Sequence, residues 1–286
     1  MKIIRATHLG MCFGVRDAIA LAVKQSESEA ITVLGDLVHN ETILDELRHR
    51  GVQIQDDLRK VGTSTVMITA HGASMKRINE ASELGLKVLS AACPLVGVAH
   101  RAVKQLVHDG FHPVIIGKRD HVEVRGLTED LDDFDIVLNE GDVRVLASRP
   151  RFGIAAQTTQ PIEKVRYLTG LIREAFPDSE VRFMDTVCQP TKERQTAAVE
   201  MAQRCDIVIV VGGSQSNNTR ALVETCGRFC SRVHHVQSAV ELRAEWFHAN
   251  DRVGITAGTS TPDQVIDDVE RAIRECFNPG QSGARE

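Results

Sequence analysis

Two hydrophobic periods alternate along this chain. Short runs rich in Val, Ile and Leu lie at 2–5, 31–34, 66–69, 88–89, 113–116, 136–138, 152–155, 181–184, 207–211, 233–236 and 253–256. Between many of them run longer stretches with apolar residues at helical spacing: 16–24, 41–50, 76–84, 97–107, 162–175, 192–203, 219–229 and 261–276. Short β-branched runs mark strands, and a 3.6-residue period marks a helix packed by one face. Their regular alternation predicts an α/β fold of parallel sheets with crossover helices.

Three junctions share a further feature. Cys12, Cys93 and Cys188 fall at intervals of 81 and 95 residues, each after a strand-like run and before a helical one. Pro94 and Pro190, just beyond two of them, suit a helix's first turn. The spacing predicts three similar α/β units: 1–93, carrying Cys12 and ending at Cys93; 94–188, ending at Cys188; and 189–277. Each thiolate would face a shared centre. The tail 278–286 reads as flexible.

Composition narrows the function. At 286 residues, 42% apolar and 26% charged, the chain has the make-up of a soluble protein of two or three compact parts. A formal charge of −5 and only 4% aromatic residues argue against nucleic acid as a partner, since neither a basic field nor a stacking platform is present. The residues from Met1 to His8 lack the apolar stretch of a signal peptide, and the most apolar run, 207–211, is far too short to span a bilayer. The expected setting is therefore the cytosol, with no membrane partner. There, seven cysteines point to thiols, metal or catalysis rather than disulfides.

Ligands of open α/β sheets gather beyond the carboxyl ends of the strands. Here those positions carry Gly35-Asp36-Leu37-Val38-His39-Asn40, Ala70-His71-Gly72, Gly117 followed by His121 and Glu123, and Gln157-Thr158-Thr159. They also carry Gly212-Gly213-Ser214-Gln215-Ser216-Asn217-Asn218-Thr219 and Ala257-Gly258-Thr259-Ser260. Imidazoles, hydroxyls, amides and helix starts all donate to phosphate oxygens, so a small phosphorylated ligand fits this set. Neither a Walker lysine nor a Gly-x-Gly-x-x-Gly turn is present, which counts against nucleoside triphosphates and dinucleotides.

At these residues the chain resembles the 4-hydroxy-3-methylbut-2-enyl diphosphate reductase family, also called the LytB family. The shared pieces, in family order, include Gly10-Met11-Cys12-Phe13-Gly14-Val15, Val38-His39-Asn40, Ala70-His71-Gly72, Cys93-Pro94-Leu95-Val96, His121-Val122-Glu123-Val124, Gln157-Thr158-Thr159, Asp185-Thr186-Val187-Cys188, Ser216-Asn217-Asn218-Thr219 and Thr256-Ala257-Gly258-Thr259-Ser260-Thr261-Pro262-Asp263. The resemblance implies a pseudo-threefold assembly around one 4Fe–4S cluster held by Cys12, Cys93 and Cys188, with one iron left open to the substrate hydroxyl. It implies reductive loss of that hydroxyl to give isopentenyl and dimethylallyl diphosphates, with a reduced ferredoxin or flavodoxin as electron donor. Carried over by position, His39, His71, His121, Ser216, Asn217, Asn218 and Ser260 bind the diphosphate. Glu123 supplies protons, and Thr158 supports the substrate hydroxyl network. Ala92, Val122, Arg125, Asn217, Pro190 and the run Lys118-Arg119-Asp120 depart from the family's usual residues, Asn217 at a phosphate donor.

Taken one at a time, the same residues have plainer readings. Cys12, Cys93 and Cys188, like Cys205, Cys226, Cys230 and Cys276, suit an α/β core as small apolar residues. Cys226 and Cys230 also share a helix face where a metal would fit, although packing explains them better. His39 and His71 could serve backbone groups at strand ends, Glu123 could be a surface carboxylate, and Ser216 and Ser260 could be helix caps. Two other functions stay open on the residues alone. One is open-iron chemistry on another phosphorylated alcohol, and the other is a non-catalytic iron–sulfur sensor.

Overall fold

Strand β1 (Lys2–Arg5) opens the chain, yet its hydrogen-bonding partner is Arg252–Ile255, near the other end. In the computed structural model, which describes residues 1–277, twelve strands form three four-stranded sheets. The first holds β2 (Ile31–Leu34), β3 (Gln53–Gln55), β4 (Thr65–Ile68) and β5 (Lys87–Ser90) in the order β3-β2-β4-β5. The second holds β6 (His112–Ile116), β7 (Asp135–Val137), β8 (Arg151–Ala156) and β9 (Glu180–Phe183) in the order β7-β6-β8-β9. The third holds β10 (Ile207–Val211), β11 (Val233–Val236) and β12 (Arg252–Ala257), completed by β1, in the order β11-β10-β12-β1. Every pairing is parallel.

The three sheets thus repeat one topology, and the third closes it with the N-terminal strand. This corrects the expectation that residues 1–93 form one unit. β12 would otherwise be an unpaired edge, and β1 covers it. Ile3 and Ile4 then pack against the apolar clusters on opposite faces of that sheet. By contacts the chain divides into Met1–Cys12 with the chain from Gln189 on, and Phe13–Cys188. The expected tail, 278–286, lies outside the described residues, as does the side chain of Cys276.

Among the described residues nine α-helices lie between strands, α1 (Phe13–Ser26), α2 (Glu41–His49), α3 (Met75–Glu83), α4 (Pro94–His108), α5 (Val122–Thr128), α6 (Glu140–Arg144), α7 (Ile162–Ala175), α8 (Gln189–Ala202) and α9 (Asn217–Gly227), and α10 (Asp263–Phe277) follows the last strand. β10 shows why a continuous apolar run makes a strand here. Val208 and Val210 face one apolar cluster while Ile207, Ile209 and Val211 face another, so both surfaces of the sheet are covered. The sequence reading missed β3, whose Gln-Ile-Gln pattern suits a strand at the sheet's edge, and the short helices α5 and α6. Among the described residues no helix is long and apolar enough to cross a membrane.

Candidate active site

Each sheet has the same two inner strands, β2 with β4, β6 with β8 and β10 with β12. The chain leaves in opposite directions from the two members of such a pair. The crevice beyond their carboxyl ends is where open α/β sheets bind ligands. The polar loops singled out in the sequence all follow these six strands.

Within Phe13–Cys188, three of these loops bring His39, His71 and His121 together. Ring centroids lie 4.4 Å apart for His39 and His71, 5.1 Å for His39 and His121, and 5.5 Å for His71 and His121. His71 rides on a tight turn closed by the Gly72 N–H on the Thr69 carbonyl at 3.0 Å. The turn needs glycine because φ of Gly72 is +75°. Burial pushes the His71 imidazole well below its usual pKa, and the nearby His39 and His121 push it further in the same direction. His121 caps α5, accepting the Glu123 N–H at Nδ1, 3.1 Å away. With Nδ1 an acceptor, the neutral ring carries its proton on Nε2 and can donate it to an anion.

Glu123 is not the surface carboxylate that its residue type suggests, being only 1% exposed. Its two oxygens accept the Thr158 N–H at 2.6 Å and the Thr158 hydroxyl at 3.0 Å. Burial nevertheless dominates and raises its pKa to about 7, against the lowering effect of those two bonds. A buried carboxyl of this pKa is poised to give up a proton near neutral pH.

The same kind of link ties every one of the three cysteines to such a loop. The Cys93 N–H donates to the Ala70 carbonyl, that of Cys188 to Thr158, and that of Cys12 to Thr259, each at 3.0 Å. Ala70 precedes His71, Thr158 holds Glu123, and Thr259 precedes Ser260. Each cysteine also stands immediately before a helix: α1, α4 or α8. All three are partly exposed, whereas Cys205, Cys226 and Cys230 are buried in one apolar cluster, as the sequence reading expected. Burial pushes the thiols of Cys205 and Cys226 up to about 11 and about 12, which suits inert core residues.

In the other unit, Ser216 is the N-cap of α9, its hydroxyl accepting the Thr219 N–H at 3.3 Å. Asn217 is the first residue of that helix and is half-buried. Asn218 is 2% exposed; its Oδ1 accepts the Thr259 N–H at 3.0 Å, which turns Nδ2 away as a buried donor with no partner. Ser260 is 4% exposed on the neighbouring loop. The sequence reading overlooked the backbone carbonyls of Ala70, Thr158 and Thr259, which no residue-type signal reveals. It also overlooked the buried Arg194, which stands in a helical pattern of ordinary polarity.

The family model described as "LytB protein" matches residues 3–274. Among curated relatives, the 4-hydroxy-3-methylbut-2-enyl diphosphate reductase of Geobacter sulfurreducens is 36% identical, over 97% of this chain and 99% of its own length. That of Aquifex aeolicus is 37% identical over 96% of each. Among solved structures, the E-1-hydroxy-2-methyl-but-2-enyl-4-diphosphate reductase of Plasmodium falciparum superposes with a TM-score of 0.89 at 26% identity, covering 100% of this chain and 93% of that one. Another solved structure, (E)-4-hydroxy-3-methyl-but-2-enyl diphosphate reductase, the terminal enzyme of the non-mevalonate pathway, gives 0.66 at 33% identity and covers 96% of this chain and 99% of its own. With one family model matched from the first strand to the last helix, and relatives alike over nearly their whole length, this chain belongs to the LytB protein family.

Proposed function

We infer that this chain is a 4-hydroxy-3-methylbut-2-enyl diphosphate reductase of the non-mevalonate isoprenoid pathway. The observation that carries the reading is the buried Glu123–Thr158 pair beside three converging histidines. It sets a buried carboxyl next to imidazoles that can donate hydrogen bonds to a diphosphate. The reaction takes up two electrons and two protons, breaks one carbon–oxygen bond, and releases water with isopentenyl or dimethylallyl diphosphate.

The donor set suits an iron–sulfur cluster. Cys12, Cys93 and Cys188 are partly exposed and stand at helix starts. Gly14 leaves room at the Cys93 sulfur that a side chain would fill, since a Cβ there would come 2.5 Å from Sγ. By resemblance these three thiolates hold a 4Fe–4S cluster. When bound, it supplies electrons received from a reduced ferredoxin or flavodoxin, and a Lewis-acidic iron with no protein ligand.

The chain's own residues do the rest. His39, His71 and His121, with Ser216, Asn217, Asn218 and Ser260, hold the diphosphate by hydrogen bonds and fix the alcohol end. Glu123, protonated near neutrality, gives its proton to the departing hydroxyl oxygen so that water leaves rather than hydroxide. Thr158 anchors that carboxyl through N–H and hydroxyl and belongs to the network around the substrate hydroxyl. A cytosolic location would keep the partly exposed Cys12, Cys93 and Cys188 reduced, as cluster ligands must be.

The test is anaerobic. Protein carrying iron and sulfide should convert the hydroxylated diphosphate only when a reduced donor is supplied, and the electron paramagnetic resonance signal should change on adding substrate. Turnover without any electron donor would replace the reading with a non-redox dehydratase. Tight, salt-sensitive DNA binding without turnover would replace it with a sensor.

A further inference from the structure

The helices that follow the three cysteines start in register, at the residue after Cys12, Cys93 and Cys188. Their sixth residues are therefore equivalent: Ala18 in α1, Ala99 in α4 and Arg194 in α8. The two alanines are 1% and 0% exposed, and Arg194 is 8% exposed. Two copies of the repeat thus fill this position with a methyl group, and the third buries a guanidinium. Burying that charge is costly unless its donors are matched.

Two of those donors converge on one backbone oxygen. Arg194 Nε and Nη2 donate to the Gly10 carbonyl at 3.0 and 2.8 Å, and Nη1 donates to the Pro190 carbonyl at 3.0 Å. Gly10 lies two residues before Cys12 and has a φ of +75°; a Cβ there would come 2.8 Å from Ile266 Cδ1. The Gly10 N–H donates to Ala257 and the Cys12 N–H to Thr259. The segment from Gly10 to Cys12 is irregular and sits at the end of its compact unit, so helix or strand hydrogen bonds do not fix it. Arg194 and the loop after β12 hold it from two sides.

We propose that Arg194 is a positioning residue for Cys12, acting through the Gly10 carbonyl to fix the thiolate that binds cluster iron. The inference rests on the reading of Cys12 as a cluster ligand. Lysine cannot replace arginine here, because a single ammonium does not reproduce the planar fork.

The test compares Arg194→Lys and Arg194→Gln with the wild type, Cys12→Ser and Asp251→Asn. Asp251→Asn removes the ion pair with Arg232 elsewhere in the same unit and serves as a stability control. After anaerobic reconstitution, the readouts are iron per chain, the rate of iron loss to a ferrous chelator, and the reduction potential and paramagnetic line shape of the cluster. Losing a fork of charged hydrogen bonds corresponds to about ten- to a hundred-fold in the equilibrium that holds the segment. Both Arg194 variants should therefore lose iron roughly tenfold faster or more, with an altered line shape, while Asp251→Asn keeps wild-type values. Should the Arg194 variants fail to fold, Gly10→Ala moves the same segment from the Ile266 side and should give the same loss. Wild-type iron retention and line shape in folded Arg194→Lys would overturn the proposal and leave the Cys12 reading standing. Full iron in Cys12→Ser would overturn both.

Discussion

Thr158 grips both oxygens of the Glu123 carboxyl, one through its N–H and one through its hydroxyl, while its own carbonyl accepts the Cys188 N–H. Acid and cysteine are therefore fixed by one residue, through the two peptide groups on either side of its Cα. The arrangement leaves the carboxyl buried and hydrogen-bonded and still raised to about 7.

The first prediction is a pH profile. An acid of pKa about 7 is active when protonated, so turnover should fall about tenfold per pH unit above that point. Glu123→Gln should lose about 100- to 10,000-fold in rate with its iron content intact. Thr158→Ala removes a donor that favours the anion, so the descending limb should move to higher pH. A limb that stays put in Thr158→Ala would assign it to another group.

Glu123 also ties folding to pH. Its carboxyl is raised from an ordinary 4.5 to about 7, so the folded protein binds the proton more tightly than the unfolded chain. The resulting stabilisation is complete below about 4.5 and is lost as pH rises through about 7, in all about 3 kcal/mol. Denaturant unfolding of the protein and of Glu123→Gln at pH values across this window should show the wild type losing stability relative to the variant as pH rises. Parallel curves would contradict the assigned burial effect.

The histidine cluster predicts proton uptake. The His71 imidazole is held neutral by burial and by its neighbours, and a bound diphosphate supplies the negative charge that reverses that bias. Binding heats of inorganic diphosphate near neutral pH should therefore differ between buffers of different ionisation enthalpy, in the sense of protons taken up. Identical heats would show that the imidazoles bind the ligand without changing charge.

Asn218 offers a sharper probe, because its two amide atoms have separate duties. Oδ1 holds the Thr259 N–H, and Nδ2 is the buried donor without a partner. Asn218→Asp keeps the first contact and turns the second into an acceptor facing an anion. Diphosphate affinity should drop by about ten- to a hundred-fold or more in the folded variant. An affinity equal to wild type would move the diphosphate away from α9.

Much of this was legible in the sequence, for identifiable reasons. The run 207–211 is apolar on both faces and 162–175 has a clean helical period, and these two elements fall where the pattern put them. α5 escaped because Val122-Glu123-Val124 reads as strand-like alternation and Gly126 interrupts a helix, while the cap at His121 is a side-chain contact no pattern displays. The wrap of β1 into the last sheet is a long-range pairing, chosen by an open edge rather than by local sequence. The histidines and cysteines could be named as candidates from their place after strands. The burial of Glu123, and the three backbone links that tie each cysteine to a loop, depend on contacts between residues distant in sequence and needed coordinates.

The last prediction concerns Gly14, the second residue of α1. In an exposed helix, replacing glycine by alanine stabilises by roughly 0.5–1 kcal/mol, because alanine loses less backbone freedom. At Gly14 the new methyl would stand 2.5 Å from Cys93 Sγ, closer than real Cβ contacts allow, and 3.0 Å from Cys93 Cβ. Cys93 caps α4, and Pro94 follows it at the helix start, so its backbone has little freedom to yield. The sulfur must therefore swing away from its present position. Gly170, in the middle of α7, has nothing within 4 Å of a built Cβ and provides the matched control. Gly170→Ala should raise the melting temperature slightly and leave iron content unchanged. Gly14→Ala should fold, since its helix propensity improves, yet bind markedly less iron on reconstitution, as Cys93→Ser would. A Gly14→Ala protein with a full complement of iron and sulfide would mean that Cys93 is not a ligand, or that its sulfur binds iron from a different rotamer, and a structure of that variant would distinguish the two.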